Sequence, residues 1–380
     1  MNTLYIISRG IGKRSEEEML QLERENRIPR ASLLEDALSA QLLDERYLQK
    51  VPPLYRRLLY RKMPVNLAQI MEALFIQHRY DVILSQSEQV GLPLALLMKY
   101  LRMKTPHLLI VSRITSVDER KSKQKIWFFK RVKDVIDRFL IWSSVQRRFA
   151  IDQLGASEER IKLIKRGTDQ KFWSAEHVDH RPAHETDTIC AVGMEARDYP
   201  TLVEALRPLD IPCHIATGAA RGEIFDTVKR LYDIKDLPDN LTTGFKSSEE
   251  LRELYARCRF VVVPLMETDS DNGLTAILEA MSMGKTVICS RVEGQVDVIE
   301  DGVTGIYVPQ GDPHAMREAI VDLWSQPEKC RRMGEAARQH IEKHHTMEKF
   351  VEAIHHEVTT VLDEDLSRSR SDLQLEGAEA

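Results

Sequence analysis

The sequence predicts an α/β protein that consists of two doubly wound parallel-sheet domains. Short apolar runs typical of buried strands alternate with longer stretches of helical periodicity, and this alternation occurs in two series separated by a polar stretch. The chain of 380 residues is long enough for two separate hydrophobic cores. Its composition, with 43% hydrophobic and 30% charged residues, is that of a soluble globular protein.

The first series of predicted strands lies in the amino-terminal part of the chain. Each run is followed by a longer stretch whose apolar residues recur at helical spacing. The runs are residues 3–8, 80–85, 107–113 and 138–143. Parallel strands need crossover connections, usually helices, so these runs predict one doubly wound domain over residues 1–173.

The second series begins after a linker, residues 174–188, that contains His and Pro. Its strand-like runs are residues 188–193, 213–218, 241–244, 260–264, 285–290 and 305–308. Helical periodicity follows at residues 315–323 and 328–344, so the second domain is predicted to span residues 174–345. An amphipathic helix is predicted at 346–362, and the tail 363–380 lacks apolar periodicity and is predicted to be disordered.

The net charge of −5 conceals an uneven distribution along the chain. Residues 51–150 carry about +12, residues 1–50 about −1, and the remainder about −16. In the basic region, cations flank aromatic residues, most clearly in segments 56–62 and 121–133. Such segments are typical of a helix that lies on an anionic bilayer, of a helix that binds a phosphate-bearing acceptor, or of a solvated helix with one buried face. We do not expect nucleic acid as a partner, because the sequence pI is about 6.2 and no nucleic-acid module is recognisable.

The five cysteines are scattered and form no CxxC pair, which predicts reduced core thiols in a cytoplasmic protein. No stretch approaches the roughly twenty apolar residues of a membrane span, and the amino-terminal residues resemble a first strand rather than a signal peptide. We therefore expect a cytoplasmic protein, with peripheral attachment to the inner face of the membrane as an open alternative.

The most informative segment spans residues 267–312. Small and acidic residues before Gly273 suit a tight turn and a helix N-cap, and a helix-forming run follows. Gly284 then ends the helix and a short buried strand begins. A turn that opens onto a helix N-terminus presents backbone N–H groups and the positive end of the helix dipole to an anion. The segment therefore predicts a phosphate site.

The same segment, with NGLTAILEAMSMGKTVICS, DGVTG at 301–305 and VPQGD at 308–312, resembles the donor-binding half of family 4 nucleotide-sugar glycosyltransferases. This resemblance implies the GT-B fold, in which two Rossmann-like domains face each other across a cleft and a C-terminal helix crosses back to the first domain. It further implies a retaining hexosyl or glycosyltransferase, with the acceptor on the first domain and a nucleoside-diphosphate sugar on the second.

The resemblance also implies roles for residues at the start of the helix. It places the diphosphate near Gly273, Leu274 and Thr275, with Asn272 beside them. It places Glu279 on the ribose hydroxyls as a hydrogen-bond acceptor.

Relatives carry a Glu eight positions before the residue that corresponds to Glu279, and this chain has Asp271 there, one methylene shorter. The sugar-facing, catalytic role falls to Asp271 or is shared with Asp269 or Glu267.

We predict neither a bound metal nor another cofactor. Asp269 and Asp271 form a DxD pattern, which binds metal in the other major glycosyltransferase fold, but GT-B enzymes generally need none. His340 and His344 have the i, i+4 spacing of a zinc pair, but no third ligand is fixed nearby.

The cations of the second domain depart from the pattern of the relatives. Those proteins place an Arg directly after the glycine that ends the first strand of the donor domain, and here Met194 follows Gly193. The resemblance therefore transfers the phosphate role to Arg197, a catalytic candidate, with Lys246 as a second cation. Either is alternatively an exposed surface residue.

In the first domain, Gly10 and Gly12 follow the opening strand, and the resemblance implies that this turn approaches the donor phosphates or the acceptor. Many relatives carry a His after the strand predicted at 107–113, whereas this chain offers Arg113. We place these three residues at the acceptor side of the cleft.

The leading hypothesis is transfer of a sugar from a nucleotide sugar to a lipid-linked or glycan acceptor. A GT-B epimerase acting on UDP-N-acetylglucosamine is one alternative, and it needs first-domain carboxylates and a His that we do not identify. A catalytically weak nucleotide-sugar-binding or scaffold protein is the other, because Met194, Asp271 and Arg113 depart from the pattern.

Overall fold

The computed structural model describes residues 1–7, 15–52, 55, 63–111, 114, 119–178, 188–217, 226–267 and 271–378. The chain divides into two compact units. Unit 1 consists of Met1–Arg14, Ala31–Ile164 and Phe350–Ala380, and unit 2 consists of Ser15–Arg30 and Lys165–Lys349. The boundary predicted after residue 173 thus lies inside unit 2, and unit 2 also takes a segment from near the start of the chain.

In its described residues, unit 1 contains a six-stranded parallel sheet with the order β2-β1-β3-β4-β5-β6. Its strands are β1 (Thr3–Ile6), β2 (Ala40–Leu43), β3 (Val82–Ser85), β4 (His107–Val111), β5 (Arg138–Ile141) and β6 (Ile161–Leu163). The four predicted runs are all strands. Strands β2 and β6 are not among the predicted runs. Two of the four residues of β2 and one of the three residues of β6 are buried, and such short patterns do not show periodicity.

The part of unit 2 that the structure describes contains a second six-stranded parallel sheet, with the order β12-β11-β10-β7-β8-β9. Its strands are β7 (Ile189–Val192), β8 (Cys213–Thr217), β9 (Leu241–Phe245), β10 (Phe260–Val263), β11 (Thr286–Arg291) and β12 (Gly305–Pro309). All six predicted runs of the second series are therefore confirmed.

Helices connect these strands, and several begin at a residue whose side chain caps the first turn. Ser15 and Ser247 each form a capping box with a glutamate three residues later. Asp198 and Asp312 accept backbone N–H groups at the start of two others. The described helices are α1 (Glu16–Arg24), α2 (Ser32–Ala37), α3 (Glu45–Lys50), α4 (Val65–Ile76), α5 (Glu88–Tyr100), α6 (Glu119–Val132), α7 (Ser144–Arg148), α8 (Tyr199–Leu206), α9 (Asp226–Tyr232), α10 (Ser248–Arg257), α11 (Leu274–Ser282), α12 (Pro313–Ser325), α13 (Pro327–His344) and α14 (Met347–Ala378).

Both sheets are covered by helices, so their strands are buried along nearly their whole length. In unit 1, Ile83 packs in one cluster with residues of α4 and α5, and Phe139 packs in another with Phe129 of α6. In unit 2, Ile215 and Val262 belong to a cluster that includes residues of α8 and α12. This burial holds the carboxyl ends of the strands in fixed positions, and the candidate site lies there.

The last helix leaves unit 2 and joins unit 1, as predicted. It continues to Ala378, beyond the predicted range 346–362. Arg138 on β5 donates from Nε to Glu357 Oε2 at 3.3 Å and also pairs with Glu364. Glu364 lies in the segment predicted to be disordered, and this ion pair connects it to unit 1. Apolar periodicity does not detect such a polar contact.

All five cysteines are buried and unpaired, which agrees with the predicted core thiols. None of the helices in the described part of the chain has the length and the hydropathy that crossing a membrane requires.

Candidate functional site

The strand order of unit 2 reverses between β7 and β10. The chain moves outward from β7 to β8 and β9, returns to β10 beside β7, and moves outward again to β11 and β12. In open α/β sheets, ligands bind beyond the carboxyl ends of the strands at such a reversal, because the adjacent connections lie on opposite faces and leave a crevice. The loops that follow β7 and β10 therefore define the candidate site.

Backbone hydrogen bonds join these two loops. Arg197 and Leu265 form an isolated antiparallel bridge. The N–H of Asp198 donates to the carbonyl of Pro264 at 3.0 Å, and the N–H of Met266 donates to the carbonyl of Ala196 at 3.0 Å. The two loops are thus one structural unit, and a displacement of one displaces the other.

The β7 loop needs glycine at its first position. Gly193 has a φ of 120°, and a Cβ there would overlap the guanidinium group of Arg197. The Tyr199 hydroxyl donates to the carbonyl of Gly193 at 2.5 Å, and Ala196 takes a φ of 52°. Gly193 was predicted as a donor-binding residue. The conformation of this loop also requires glycine at that position.

Arg197 is buried beneath this turn, with 5% of its surface exposed, so the alternative of an exposed surface residue is wrong. Its Nε donates to the carbonyl of Val192 at 2.9 Å and its Nη1 to the carbonyl of Glu195 at 2.7 Å. No hydrogen bond to a described residue uses Nη2. Two nitrogens thus stabilise the loop, and one remains for a ligand.

Helix α11 begins immediately after the β10 loop. Gly273 is its N-cap, with a φ of 92°, and a Cβ there would lie 3.0 Å from Leu265 Cδ2 and 3.1 Å from Val263 Cγ1. No side chain caps this helix. The backbone N–H groups of Thr275 and Ala276 donate to none of the described residues. This N-terminus therefore presents an uncompensated positive dipole end to a ligand.

The remaining predicted residues of this turn are held by backbone contacts. The N–H of Leu274 donates to the carbonyl of Asp271 at 3.1 Å, so this amide is occupied. Nε2 of Gln295 donates to the carbonyl of Asn272 at 3.3 Å. Asp271 and Asn272 are therefore next to the helix N-terminus, as predicted, and their backbone carbonyls form the turn.

Glu279 lies further along α11 and is partly buried. Burial raises the pKa of its carboxyl from 4.5 to about 7, although a hydrogen bond from Tyr255 and the charges of Arg166 and Arg197 favour the ionised form. The electrostatic influence of Arg197 on Glu279 shows that these two predicted residues lie close enough to interact. A carboxyl with this pKa changes its charge in the neutral range.

Tyr255 is a site residue that the sequence did not indicate. Its hydroxyl donates to Glu279 Oε2 at 3.2 Å, and its ring is fully buried. In the sequence it occupies a position typical of the buried face of a helix, so periodicity predicts only a core residue.

Lys246 is at some distance from the other candidate cation. It follows β9, which is separated from β7 by β8. Burial lowers the pKa of His214, and the charge of Lys246 lowers it further. Lys246 therefore lies near His214 at the sheet edge, not among the residues at the β7–β10 reversal.

Several predicted residues lie outside the described part of the chain. These are Gly10 and Gly12 of the first-domain turn, Arg113 after β4, and Asp269 of the DxD pattern. Among the residues that the structure does describe, no group of three or more His, Cys, Asp or Glu side chains is arranged to hold a metal ion. Nδ1 of His340 lies 3.3 Å from Glu300 Oε1.

Residues 196–340 match the family described as glycosyl transferases group 1, and this region includes Arg197, the β10 loop and Glu279. The O-antigen chain mannosyltransferase C of Escherichia coli is 25% identical over 213 residues, which are 54% of this chain and 56% of that protein. The α-D-kanosaminyltransferase of Streptomyces kanamyceticus is 34% identical over 121 residues, 32% of this chain and 30% of that protein. The matches span about half or less of these two relatives.

Solved structures resemble the chain over nearly its whole length. Anabaena HepE in complex with UDP has a TM-score of 0.67 and 17% identity, over 95% of this chain and 100% of that one. Sucrose-phosphate synthase from Thermosynechococcus elongatus has a TM-score of 0.70 and 17% identity, over 99% of both chains. At such identity the likeness shows the fold alone. The predicted GT-B fold, with two Rossmann-like domains, is confirmed. The matched family model and the curated relatives support a glycosyltransferase, and membership of family 4 stays a prediction.

Proposed function

We propose that the protein is a retaining glycosyltransferase of family 4 that transfers a hexosyl group from a nucleoside-diphosphate sugar. One observation carries the proposal. At the strand-order reversal of the second sheet, an uncapped helix N-terminus adjoins a loop with a buried arginine, and a partly buried glutamate lies on the same helix. An anion with a hydroxyl-bearing group attached fits this combination.

In the proposed reaction, the bond between the sugar C1 and the diphosphate oxygen breaks, and the acceptor hydroxyl oxygen bonds to C1 on the same face. The proton of that hydroxyl passes to an oxygen of the departing diphosphate. The protein holds the developing charge and aligns the substrates. The N–H groups of Thr275 and Ala276 and the charge of Arg197 hold the diphosphate, while Glu279 accepts hydrogen bonds from the ribose hydroxyls.

The other predicted residues keep supporting roles in this proposal. Gly193, Asn272 and Leu274 shape the donor turns, and Asp271 faces the sugar. Lys246, predicted as a second cation, adds positive charge only from the sheet edge near His214. Gly10, Gly12 and Arg113 serve the acceptor side.

The names of related proteins support a nucleotide-sugar donor. Structures of Anabaena HepE are described as complexes with UDP and with UDP-glucose. Curated relatives include a mannosyltransferase and a kanosaminyltransferase. UDP and UDP-glucose are therefore the first compounds to test. We propose transfer without a bound metal, since the helix N-terminus and Arg197 supply the positive charge, and we expect a chelator to leave activity unchanged.

The acceptor in this proposal is a glycan or a lipid-linked compound at an anionic membrane surface. On α6, Trp127 is 46% exposed and Arg131 lies 4.8 Å from its ring centroid. Lys99 donates from Nζ to the carbonyl of Arg131 at 2.9 Å, and the adjacent Tyr100 is 68% exposed. Exposed aromatic rings beside cations fit the headgroup region of an anionic bilayer. We place the protein in the cytoplasm, peripherally on the inner membrane face.

Vesicle co-sedimentation tests this surface. We expect binding to vesicles with phosphatidylglycerol but not to pure phosphatidylcholine, and about tenfold weaker binding after Arg131→Glu. Tyr232→Ala in unit 2 removes a similarly exposed ring and is the control. Equal binding to both vesicle types would contradict the membrane proposal and leave the donor site untouched.

A catalytically weak nucleotide-sugar-binding protein is the second candidate. The observation that favours it is the use of two Arg197 nitrogens by loop carbonyls, which leaves less of this cation for the diphosphate.

The test combines binding with transfer. The full chain is heated with UDP, GDP, ADP or dTDP, and protection by one of them shows a working donor site, since a ligand that binds the folded state stabilises it. Hydrolysis or transfer of the corresponding sugar nucleotide then separates the two candidates. Glu279→Ala and Arg197→Ala should each reduce turnover by about a hundredfold. Protection without turnover supports the second candidate, and native turnover in both variants contradicts the site.

A further inference from the structure

The two oxygens of the Glu279 carboxyl group differ in their hydrogen bonds. Oε2 accepts the hydrogen bond from the Tyr255 hydroxyl at 3.2 Å. No described residue donates a hydrogen bond to Oε1. A carboxylate whose first oxygen is held by a neutral donor keeps its second oxygen in a defined direction.

Tyr255 is itself held firmly. Its ring is fully buried and meets the ring of Trp173 edge to face, with centroids 5.7 Å apart. Just beyond Tyr255, Nζ of Lys285 donates to the carbonyls of Ala256 at 2.9 Å and Cys258 at 2.8 Å. The end of α10 is therefore anchored, and the hydroxyl has little freedom to leave Glu279.

Trp173 also connects this support to α11. Oγ of Ser282, the last residue of α11, donates to the carbonyl of Trp173 at 2.9 Å, and Arg338 Nη1 donates to the same carbonyl at 3.0 Å. Helix α11, which carries Glu279, and the ring of Tyr255, which contacts Glu279, are thus both held by Trp173.

The groups that act on the Glu279 carboxyl are Tyr255, Arg166 and Arg197. Burial raises the pKa of Tyr255 well above its usual value, so its hydroxyl keeps its proton and remains a donor at every relevant pH. The hydrogen bond favours the ionised carboxyl, as do both arginines.

We propose that Tyr255 is a positioning residue for ligand binding, which holds Oε2 of Glu279 so that Oε1 accepts a hydrogen bond from the vicinal hydroxyls of a bound nucleoside diphosphate. This inference rests on the proposed donor function. Tyr255 acts through Glu279 and touches no substrate atom.

The test measures affinity against pH by calorimetry, with whichever of UDP, GDP, ADP or dTDP protects the chain best. In the native protein, we expect affinity to rise between pH 6 and 8, because the ionised Glu279 is the better acceptor. In Tyr255→Phe, which keeps the ring, the midpoint should move upward by about one pH unit and affinity at pH 7 should fall about fivefold to tenfold, the worth of one hydrogen bond.

Two variants make the result specific. Tyr307→Phe also removes a buried hydroxyl, one that has no partner among the described residues, and should keep the native profile. Glu279→Gln should bind weakly with a flat profile.

A native midpoint and affinity in Tyr255→Phe would overturn the positioning role alone, provided Glu279→Gln still flattens the profile. A native profile in Glu279→Gln, or no binding of any of the four diphosphates, would overturn the proposed donor site and this role with it.

Discussion

The loop that follows β7 and the first turn of α11, which follows the β10 loop, use their backbone polar groups in opposite ways. In the β7 loop, side chains occupy the carbonyls of Val192, Gly193 and Glu195. In the first turn of α11, which follows the β10 loop, the N–H groups of Thr275 and Ala276 donate to none of the described residues. The carbonyls of the β7 loop are thus hydrogen-bonded within the protein, whereas the first turn of α11 has N–H groups that can bind an anion.

This difference separates stability from binding within one site. A saturated loop has few polar groups left for a ligand, and its substitution removes contacts of the folded state. An unsaturated helix N-terminus has little internal bonding to lose, and its substitution changes what it offers to a ligand. We therefore expect changes to the backbone of the β7 loop to act mainly on the free energy of unfolding, and changes to the first turn of α11 to act mainly on affinity.

The largest effect is expected for Gly193→Ala. The φ of 120° strains any residue with a Cβ, and the added methyl group overlaps the Arg197 guanidinium. We expect the free energy of unfolding of unit 2 to fall by about 3 kcal/mol in urea denaturation. Gly311→Ala is the matched control. Its φ is 70° but nothing lies within 4 Å of the new Cβ, so it should lose only about 1 kcal/mol. Equal losses of unfolding free energy in the two variants would show that the contact between Gly193 and Arg197 does not stabilise the loop.

The next effect concerns the N-terminus of α11. In Gly273→Ala, the new Cβ would lie 3.0 Å from Leu265 Cδ2, which displaces the first turn of α11 from its present position. We expect affinity for the protecting nucleoside diphosphate to fall about tenfold, or about 1.4 kcal/mol, while most of the stability remains. Gly302→Ala has a φ of 78° and open space around the Cβ, and it should bind like the native protein. Unchanged affinity in Gly273→Ala would mean that the anion does not sit on this helix.

The sequence predicted the strands and the helix that position this site better than it predicted the contacts between the site's side chains. Ten strands and the start of α11 follow from apolar runs and a glycine-bearing turn, because burial on both faces leaves a strong local signal. Glu279 and Arg197 were found only through the resemblance to a family.

Neither the burial of Arg197 nor its bonds to loop carbonyls follow from a local pattern, since they depend on the position of β7 beside β10. Tyr255 reaches Glu279 from another helix, 24 residues away along the chain, and no pattern of spacing predicts that contact.

The smallest effect concerns the ionisation of Glu279 on α11. Its pKa is about 7 in the folded protein, against an ordinary value of 4.5. Between these values the folded state holds a proton that the unfolded state has released. The contribution of Glu279 to stability is therefore lost as pH rises from about 4.5 to about 7, and it stays lost above that range.

Glu279→Gln removes this dependence, because glutamine does not titrate. We expect the variant to gain stability over the native protein as pH rises from 5 to 8, by on the order of 1 kcal/mol, since partial exposure of the carboxyl reduces the full effect of its shift. Urea denaturation at a series of pH values without ligand measures the difference. Glu253→Gln, an exposed position on α10, should give a curve parallel to that of the native protein. If the curve for Glu279→Gln is also parallel, the carboxyl is not held in a desolvated position. If the difference in free energy of unfolding between Glu279→Gln and the native protein instead increases with pH, folding disfavours the charged form of Glu279. We expect this of a carboxylate whose hydrogen-bond donors are supplied by a ligand.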